Sequence, residues 1–217
     1  RQMCIRDRGI QVQAATVILG SQNLVAVLGI VTAVGSMISM ALCPLLIKKL
    51  NERNAYIFLS VYGFAASIFS FVIGHFWFQS PKNMVLTVLF YASLFLIGLQ
   101  FGAVTLMPMI MTADAVDYYE YETGKRMEGA CYSILTLTIK VCLALGTAVG
   151  LIFVQKSGYY ESLTAGTFTT KTKDIIFFAY TALPGILALI SIFPMFKYDI
   201  VGEKKAKISS ELAARRK

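Results

Sequence analysis

Long apolar stretches, separated by short segments that hold nearly all of the charges, dominate this sequence. A helix needs about 20 apolar residues to cross the hydrocarbon core of a bilayer, so each stretch without charges is a candidate transmembrane helix. The stretch over residues 9–47 has no charged residue and is too long for one crossing, and Gln22 and Asn23 mark its break. The pattern predicts five full transmembrane helices and one truncated helix. The predicted spans are residues 10–21 (the truncated helix), 24–47, 55–76, 84–112, 129–154 and 175–196.

The composition favours a membrane protein and excludes other classes. Of 217 residues, 57% are hydrophobic and 15% are charged, whereas roughly a quarter of the residues of a soluble domain are charged. Too few charges remain to coat a water-facing surface, and apolar residues are too abundant for a disordered chain. The four cysteines show no metal-ligand spacing, so we expect no metal site. The predicted fold class is an all-α, polytopic membrane helix bundle.

The cations are concentrated in alternate connections, and this asymmetry predicts the orientation. Twelve lysine and arginine residues fall on one predicted side of the membrane and four on the other. Because positively charged connections stay in the cytoplasm, we expect a multi-pass protein of the cell inner membrane with a cytoplasmic C-terminus. The basic tail, residues 198–217, could touch anionic lipid headgroups or be a plain solvated segment. The net charge is +8, but the sequence contains no nucleic-acid-binding motif, so we expect no nucleic-acid partner.

The first residues of the chain fit poorly with the rest. Residues 1–8 are dense in charge and directly precede the truncated helix. No signal-peptide cleavage site follows them, and they resemble a translated adapter or vector scar. We therefore leave them out of the fold and expect that the natural beginning of the protein is missing.

One lysine lies in the middle of an apolar predicted span. Lys140 comes 11 residues after Gly129 and 15 before Gln155, which places it about 16 Å or more from either end of the helix. A lysine side chain cannot reach the interface over that distance, and a charge at that depth costs at least about 2.5–3.5 kcal/mol. Ser133 and Thr136 share its helix face. This face predicts the wall of a polar cavity.

The partner of Lys140 decides between a functional and a structural role. A structural lysine would pair with a buried carboxylate on a neighbouring helix, but no acid of this chain occupies a predicted mid-membrane position. We therefore expect the counter-charge to be substrate, water or another part of the protein. Gln100, Thr105 and Thr112 could face the same cavity or bond to their own backbone. The spacing Gly146-x-x-x-Gly150 is typical of close helix packing.

A highly charged segment separates the fourth and fifth predicted spans. We interpret residues 111–129 as a cytoplasmic turn, in which Asp114 and Asp117 share a helix face. These two acids could pair with Arg126 or with cations elsewhere. Ion pairs are weak when exposed to water, which suits a latch that opens and closes in each cycle; a plain solvated turn is the alternative. The charged residues of the segment are Asp114, Asp117, Glu120, Glu122, Lys125, Arg126 and Glu128.

Two functions of other classes remain open from the residues alone. Asp114 and Asp117 could hold a magnesium ion in a membrane-embedded enzyme that modifies lipids, although no further aspartates at helical spacing and no nucleophile–base pair accompany them. A membrane sensor that binds a ligand without moving it is the other. Metal-dependent turnover of a lipid would identify the first, and binding without counterflow would identify the second.

A motif in the charged segment resembles that of a known family. From Ala113 to Ser133 the sequence reads A-D-x-V-D-Y-x-E-Y-x-T-G-x-R-x-E-G-x-x-Y-S, and Lys140 follows. This is similar to the signature of the glycoside–pentoside–hexuronide:cation symporters, the melibiose-permease-like branch of the major facilitator superfamily. The resemblance implies that the chain is the C-terminal six-helix half of a twelve-helix carrier, with its first helix truncated and the N-terminal six-helix half missing.

The resemblance also implies roles for individual residues. Lys140 would lie at the sugar and cation site, with Thr136 one turn away, and Asp114, Asp117, Arg126 and Glu128 would form a cytoplasmic gate. The polar candidates for substrate binding are Lys140, Thr136, Ser133 and Thr105. The implied function is symport of a sugar or glycoside, such as a pentoside or hexuronide, by alternating access. The protein would not be an enzyme and would need no cofactor except the coupled sodium ion or proton, held mainly by the missing half.

Two positions depart from the melibiose permease within that family. An aromatic residue that holds the galactoside is absent near Thr105, and Leu135 stands where the permease has a polar residue. These differences argue against a galactoside. The stretch from Thr123 to Gly129 is more similar to glucuronide and xyloside carriers, and Lys140 would be a natural partner for the carboxylate of a uronate.

Overall fold

The computed structural model describes residues 14, 17, 25–80, 83–165 and 168–215, and every regular element in this part of the chain is helical. The helices are α1 (Val25–Gln79), α2 (Met84–Thr123), α3 (Glu128–Lys156), α4 (Tyr159–Ala165), α5 (Thr170–Tyr180), α6 (Ala182–Ile190), α7 (Ile192–Met195) and α8 (Glu203–Arg215).

Helix α1 is a hairpin rather than one rod. Inside it the backbone leaves the helical conformation at Asn51, where φ is 61° and ψ is 162°. Asparagine tolerates a positive φ better than most residues, but this combination is adopted almost only by glycine and costs about 1–3 kcal/mol. Asn51 divides α1 into a first arm, residues 25–50, and a second arm, residues 52–79. The interval predicted between the spans 24–47 and 55–76 is thus reduced to one non-helical residue.

Glycines let the first arm approach α2 at backbone distance. A Cβ atom on Gly98 would overlap the carbonyl oxygen of Thr32, and one on Gly102 would overlap the carbonyl oxygen of Ser36. Gly98 and Gly102 are four residues apart and lie on one face of α2, which is the spacing of close helix pairs in membranes. Residue numbers rise together along the two contacting segments, so the first arm and α2 are parallel.

The second arm runs antiparallel to α2. The hydroxyl group of Tyr62, near its beginning, donates to the carbonyl oxygen of Leu96 (3.3 Å). Near its end, the indole ring of Trp77 stacks on the ring of Phe90 with centroids 4.7 Å apart. The two arms therefore run in opposite directions against the same helix, and Asn51 is the point of reversal.

Helix α2 continues to Thr123, well past the boundary predicted at residue 112. Gly124 ends it in the left-handed conformation (φ 70°), and its N–H donates to the carbonyl oxygen of Glu120 (2.9 Å). No glycine or proline follows Pro108 before Gly124, so nothing breaks the helix where the charges begin. The segment 111–129, interpreted as a turn, is therefore mostly helical, and the turn itself is residues 124–127.

The predicted span 175–196 is built from three consecutive helices. The α-helical pattern is interrupted at Thr181 and Ser191, between α5, α6 and α7. Of the truncated helix at residues 10–21, Ala14 and Val17 are described; both are helical and buried. Its other residues and the segment 1–8 lie outside the described part of the chain.

The helices define two ends of the bundle. The hinge end contains Asn51, the 124–127 turn and α8. At the histidine end, Nδ1 of His75 on the second arm lies 3.0 Å from Oδ1 of Asp174 on α5.

Among the described residues, four stretches of helix are long and apolar enough to cross a membrane, and the first of them holds both arms of α1. They are Ala26–Gln79, Met84–Thr123, Glu128–Lys156 and Thr170–Met195. The predicted all-α polytopic membrane bundle is thereby confirmed.

Candidate functional site

Lys140 lies on the wall of an open groove along α3. The groove has a volume of about 410 Å³, and Ser133, Thr136 and Lys140 line it together with Tyr132. Ser133, Thr136 and Lys140 follow one another at separations of three and four residues, which places them on one face of α3, with Tyr132 beside Ser133. The structure therefore brings together three of the four residues predicted to bind substrate.

The hydroxyl groups in the groove are held by the helix itself. The hydroxyl group of Ser133 donates to the carbonyl oxygen of Gly129 (2.7 Å), and that of Thr136 donates to the carbonyl oxygen of Tyr132 (2.8 Å). Each hydroxyl oxygen keeps lone pairs that can accept a hydrogen bond from a ligand. The groove thus offers two oriented acceptors and one ammonium donor.

Thr105 is not part of this groove. It lies on α2, and its hydroxyl group donates to the carbonyl oxygen of Phe101 (2.7 Å). Among the described residues, the lining of the groove comes from α3 alone. Its hydroxyl group makes the local backbone bond that the sequence left open as an alternative.

The charge of Lys140 is not neutralised by an ion pair within the described residues. The side chain is exposed on a helix of which only Gly150 and Val154 are buried. A structural lysine would sit against a carboxylate of a neighbouring helix, as buried charges do. The open position instead leaves the ammonium available to a group from outside this chain segment.

Arg126 gathers carboxylates from both sides of the 124–127 turn. Its guanidinium lies 3.1 Å from Glu120, 3.2 Å from Glu128 and 3.9 Å from Asp117. A hydrogen bond to Glu128 raises the pKa of Arg126. Three of the four predicted gate residues, Asp117, Arg126 and Glu128, therefore lie together at the hinge end.

Asp114 pairs with Lys205, whereas Asp117 lies near Arg126. The carboxylate of Asp114 pairs with Lys205 of α8, at 2.8 Å from Oδ1 to Nζ, and accepts a hydrogen bond from the hydroxyl group of Tyr198 (3.4 Å). Glu52 pairs with the same lysine at 2.6 Å. The two aspartates that the alternative magnesium site would have used are thus each directed at a basic side chain.

Sequence reasoning missed Glu52, Tyr198 and Lys205. The available signal was the amphipathic pattern of the tail, in which Lys205, Ile208 and Leu212 share one helix face. Ile208 and Leu212 are 5% and 4% exposed. Part of the tail is therefore a packed helix and not a plain solvated segment.

In the described part of the chain, no group of three or more histidine, cysteine, aspartate or glutamate side chains could hold a metal ion.

Comparison with known proteins gives one family and several relatives. The model of the family described as MFS/sugar transport protein matches residues 14–202. A putative sulfoquinovose importer and a glucuronide carrier protein homolog, both of Escherichia coli (strain K12), are 25% and 24% identical to the chain over 96% and 92% of its length. A lactose permease of Lactobacillus delbrueckii subsp. bulgaricus is 26% identical over 94% of the chain. The chain spans 42%, 41% and 31% of these three relatives. No solved structure matches the chain at a significant level.

Proposed function

Because the chain belongs to the MFS/sugar transport protein family, we propose that it acts in secondary active transport of a sugar or glycoside across the cell inner membrane. The observation that carries this proposal is the groove of α3, where Lys140 lies with Ser133 and Thr136 on an exposed face of an otherwise apolar helix. A sugar is recognised by several hydrogen bonds at fixed positions, and these three side chains offer both donors and acceptors.

The chain supplies one wall of the proposed site. The groove is open, and its lining comes from α3 within the described residues. Carriers of this architecture bind substrate between two structural repeats near the middle of the bilayer and rock one against the other. We propose that this chain is one six-helix half of such a carrier and that a second half closes the groove, in agreement with the greater length of the relatives.

The hinge end would carry the gate. Asp117 and Glu128 lie around Arg126 in the exposed turn between α2 and α3, where an ion pair can exchange partners at little cost because water screens it. The basic residues around this end favour a cytoplasmic position. Transport would be coupled to sodium ions or protons through groups that lie mainly in the other half.

The charge of Lys140 favours an anionic sugar. An ammonium with no ion pair among the described residues binds a carboxylate-bearing ligand better than a neutral one. One relative is named for glucuronide, which carries a carboxylate, whereas another is named for lactose. We propose uronides ahead of neutral glycosides as the substrate class.

Uptake into vesicles that contain the full-length protein tests the proposal. Lys140→Ala should lower uptake of a glucuronide about 10- to 100-fold, since a hydrogen bond to a charged group is lost. Lys156→Ala removes the same side chain from the end of the same helix and should leave uptake unchanged. Undiminished uptake by Lys140→Ala would refute the role of the groove. Binding of the sugar without counterflow would indicate a sensor instead of a carrier.

A further inference from the structure

The chain after the last membrane-spanning stretch folds back on the hinge end. The ammonium group of Lys205, in α8, lies 2.6 Å from Oε1 of Glu52 and 2.8 Å from Oδ1 of Asp114. Glu52 follows Asn51 at the tip of the α1 hairpin, and Asp114 belongs to α2. One lysine therefore joins three elements that are distant in sequence.

Both carboxylates of this ion-pair group are buried. The side chains of Glu52 and Asp114 are 8% and 9% exposed, and that of Lys205 is 36% exposed. Burial favours the neutral amine, but hydrogen bonds to Asp114 and Glu52 outweigh it and raise the pKa of Lys205. Loss of the lysine would leave two buried negative charges without compensation, which is strongly unfavourable.

The remaining contacts of the tail fix its register. Ile208 and Leu212 lie on the same face of α8 as Lys205 and are buried, and α8 packs against α2. Phe196 precedes α8 in the chain, and the guanidinium of Arg53 in the second arm lies over its ring, 5.9 Å from the centroid. The tail thus binds through one face that carries both apolar side chains and the charge of Lys205, while its opposite face is exposed.

The docked tail occupies both oxygens of Asp114. Nζ of Lys205 is 2.8 Å from Oδ1 and 2.9 Å from Oδ2, and Oδ2 also accepts the bond from Tyr198. Asp117, three residues later, is half-exposed and lies near Arg126. Of these two aspartates, Asp114 is the one whose pairing depends on the tail.

We propose that Lys205 is a positioning residue that docks α8 on the hinge end, and that Asp114 becomes available to another cation only when α8 undocks. Docking is a property of the chain itself. The consequence for transport rests on the proposed function, in which the hinge end, where Asp114 lies, carries the gate.

The accessibility of the buried face of α8 tests the docking. A cysteine introduced by Leu212→Cys should react slowly with a membrane-impermeant maleimide in the full-length protein, after subtraction of the labelling of the native cysteines. Addition of Lys205→Ala should raise the labelling rate about fivefold or more, as expected when a stabilising contact is lost. Lys205→Arg, which keeps the charge, should retain most of the protection. The matched control is Lys207→Ala, because Lys207 lies on the same helix with a 71% exposed side chain.

A mutant cycle shows whether Lys205 protects position 212 through its ion pairs with Glu52 and Asp114. Combined Glu52→Gln and Asp114→Asn should expose position 212 as Lys205→Ala does, and Lys205→Ala should add little on that background. The proposal is overturned if Lys205→Ala leaves labelling unchanged, if Lys207→Ala raises it equally, or if the effects simply add.

Labelling without substrate also separates this inference from the proposed function. If the protein takes up no glycoside but Lys205→Ala exposes position 212, the proposed function fails and the docking stands. Where uptake occurs, Lys205→Ala should change the maximum rate of uptake and leave the half-saturating sugar concentration unchanged. Lys205 is far in sequence from Lys140 and is not among the residues that line the groove. A change confined to half-saturation would contradict the gate role of Asp114.

Discussion

Helices α2 and α3 follow each other in the chain and are both apolar enough to cross a membrane, yet they are packed in opposite ways. In α2, eleven residues are buried, including Phe90, Gly98 and Asp114. In α3, only Gly150 and Val154 are buried. Apolar composition therefore decides that a helix enters the bilayer, but it does not decide which helix lies inside the bundle.

Small residues account for part of the difference. Gly98 and Gly102 of α2 meet the backbone of the first arm, whereas a Cβ atom on Gly146 of α3 would meet nothing within 4 Å. Without hydrophobic force between helices in lipid, such close approach is a main source of association. The open helix keeps its polar side chains available, and it is the one that carries the Lys140 groove.

The largest contrast is expected in the aromatic core of α2. Phe90→Ala should lower the free energy of unfolding by about 3–5 kcal/mol, because a fully buried ring leaves a cavity. Leu145→Ala in α3 should change it by less than about 0.5 kcal/mol, since that side chain is 62% exposed. Denaturant unfolding in detergent measures both. Equal losses would show that α3 is packed as tightly as α2.

The glycines should respond with opposite signs. Gly98→Ala should destabilise the protein by about 1–3 kcal/mol, because the added methyl group meets a backbone carbonyl that cannot move aside. Gly146→Ala should stabilise it by about 1 kcal/mol or less, through helix propensity alone. The same unfolding assay applies, and a destabilising Gly146→Ala would place a helix against that face.

The reversal at Asn51 determines that both arms of α1 pack on α2. Asn51→Gly should raise the free energy of unfolding by roughly 1 kcal/mol, because relief of the strained conformation exceeds the entropy that glycine loses on folding. Asn54→Gly, within the second arm, should lower it slightly. A destabilising Asn51→Gly would mean that the asparagine side chain itself supports the turn.

The smallest effect is the pH response of the contact between α2 and α8. The pKa of Lys205 is raised in the folded protein, so its contribution is complete below the ordinary lysine pKa of about 10.4 and is lost as the pH rises through the raised value. An environment-sensitive dye on Leu212→Cys should therefore show a constant signal from pH 7 to 9 and a change only above pH 10. A change near neutral pH would assign the contact to other groups.

The sequence predicted the existence of the membrane-spanning helices and the groove of α3. Hydrophobic runs determine spans, and one-turn spacing places Ser133, Thr136 and Lys140 on one face without any knowledge of neighbours. The position of Thr105 could not be predicted in this way, because it depends on how α2 is rotated in the bundle. Spacing alone also does not show how closely a glycine pair packs: Gly98 and Gly102 have the same spacing as Gly146 and Gly150, but of the second pair Gly150 is buried and Gly146 is open.

The end of α2 and the docking of the tail could not be predicted from the positions of the charged residues. Charged residues end a membrane span but not a helix, and α2 therefore continues to Gly124. Lys205 is one of several lysines in a basic tail, and the amphipathic pattern that places it on the face of Ile208 and Leu212 does not identify its partners. Its two carboxylate partners come from residues 52 and 114, so the contact exists only once the bundle has formed.

The one-residue reversal at Asn51 has a consequence for how the protein is made. Since a single non-helical residue joins the arms, neither arm can lie in the bilayer far from the other, and we expect the two arms to insert together. Lys48 and Lys49 stand at the tip of that unit and are exposed. Because positively charged connections favour the cytoplasmic side, we expect the charge at this tip to set the orientation of both arms together.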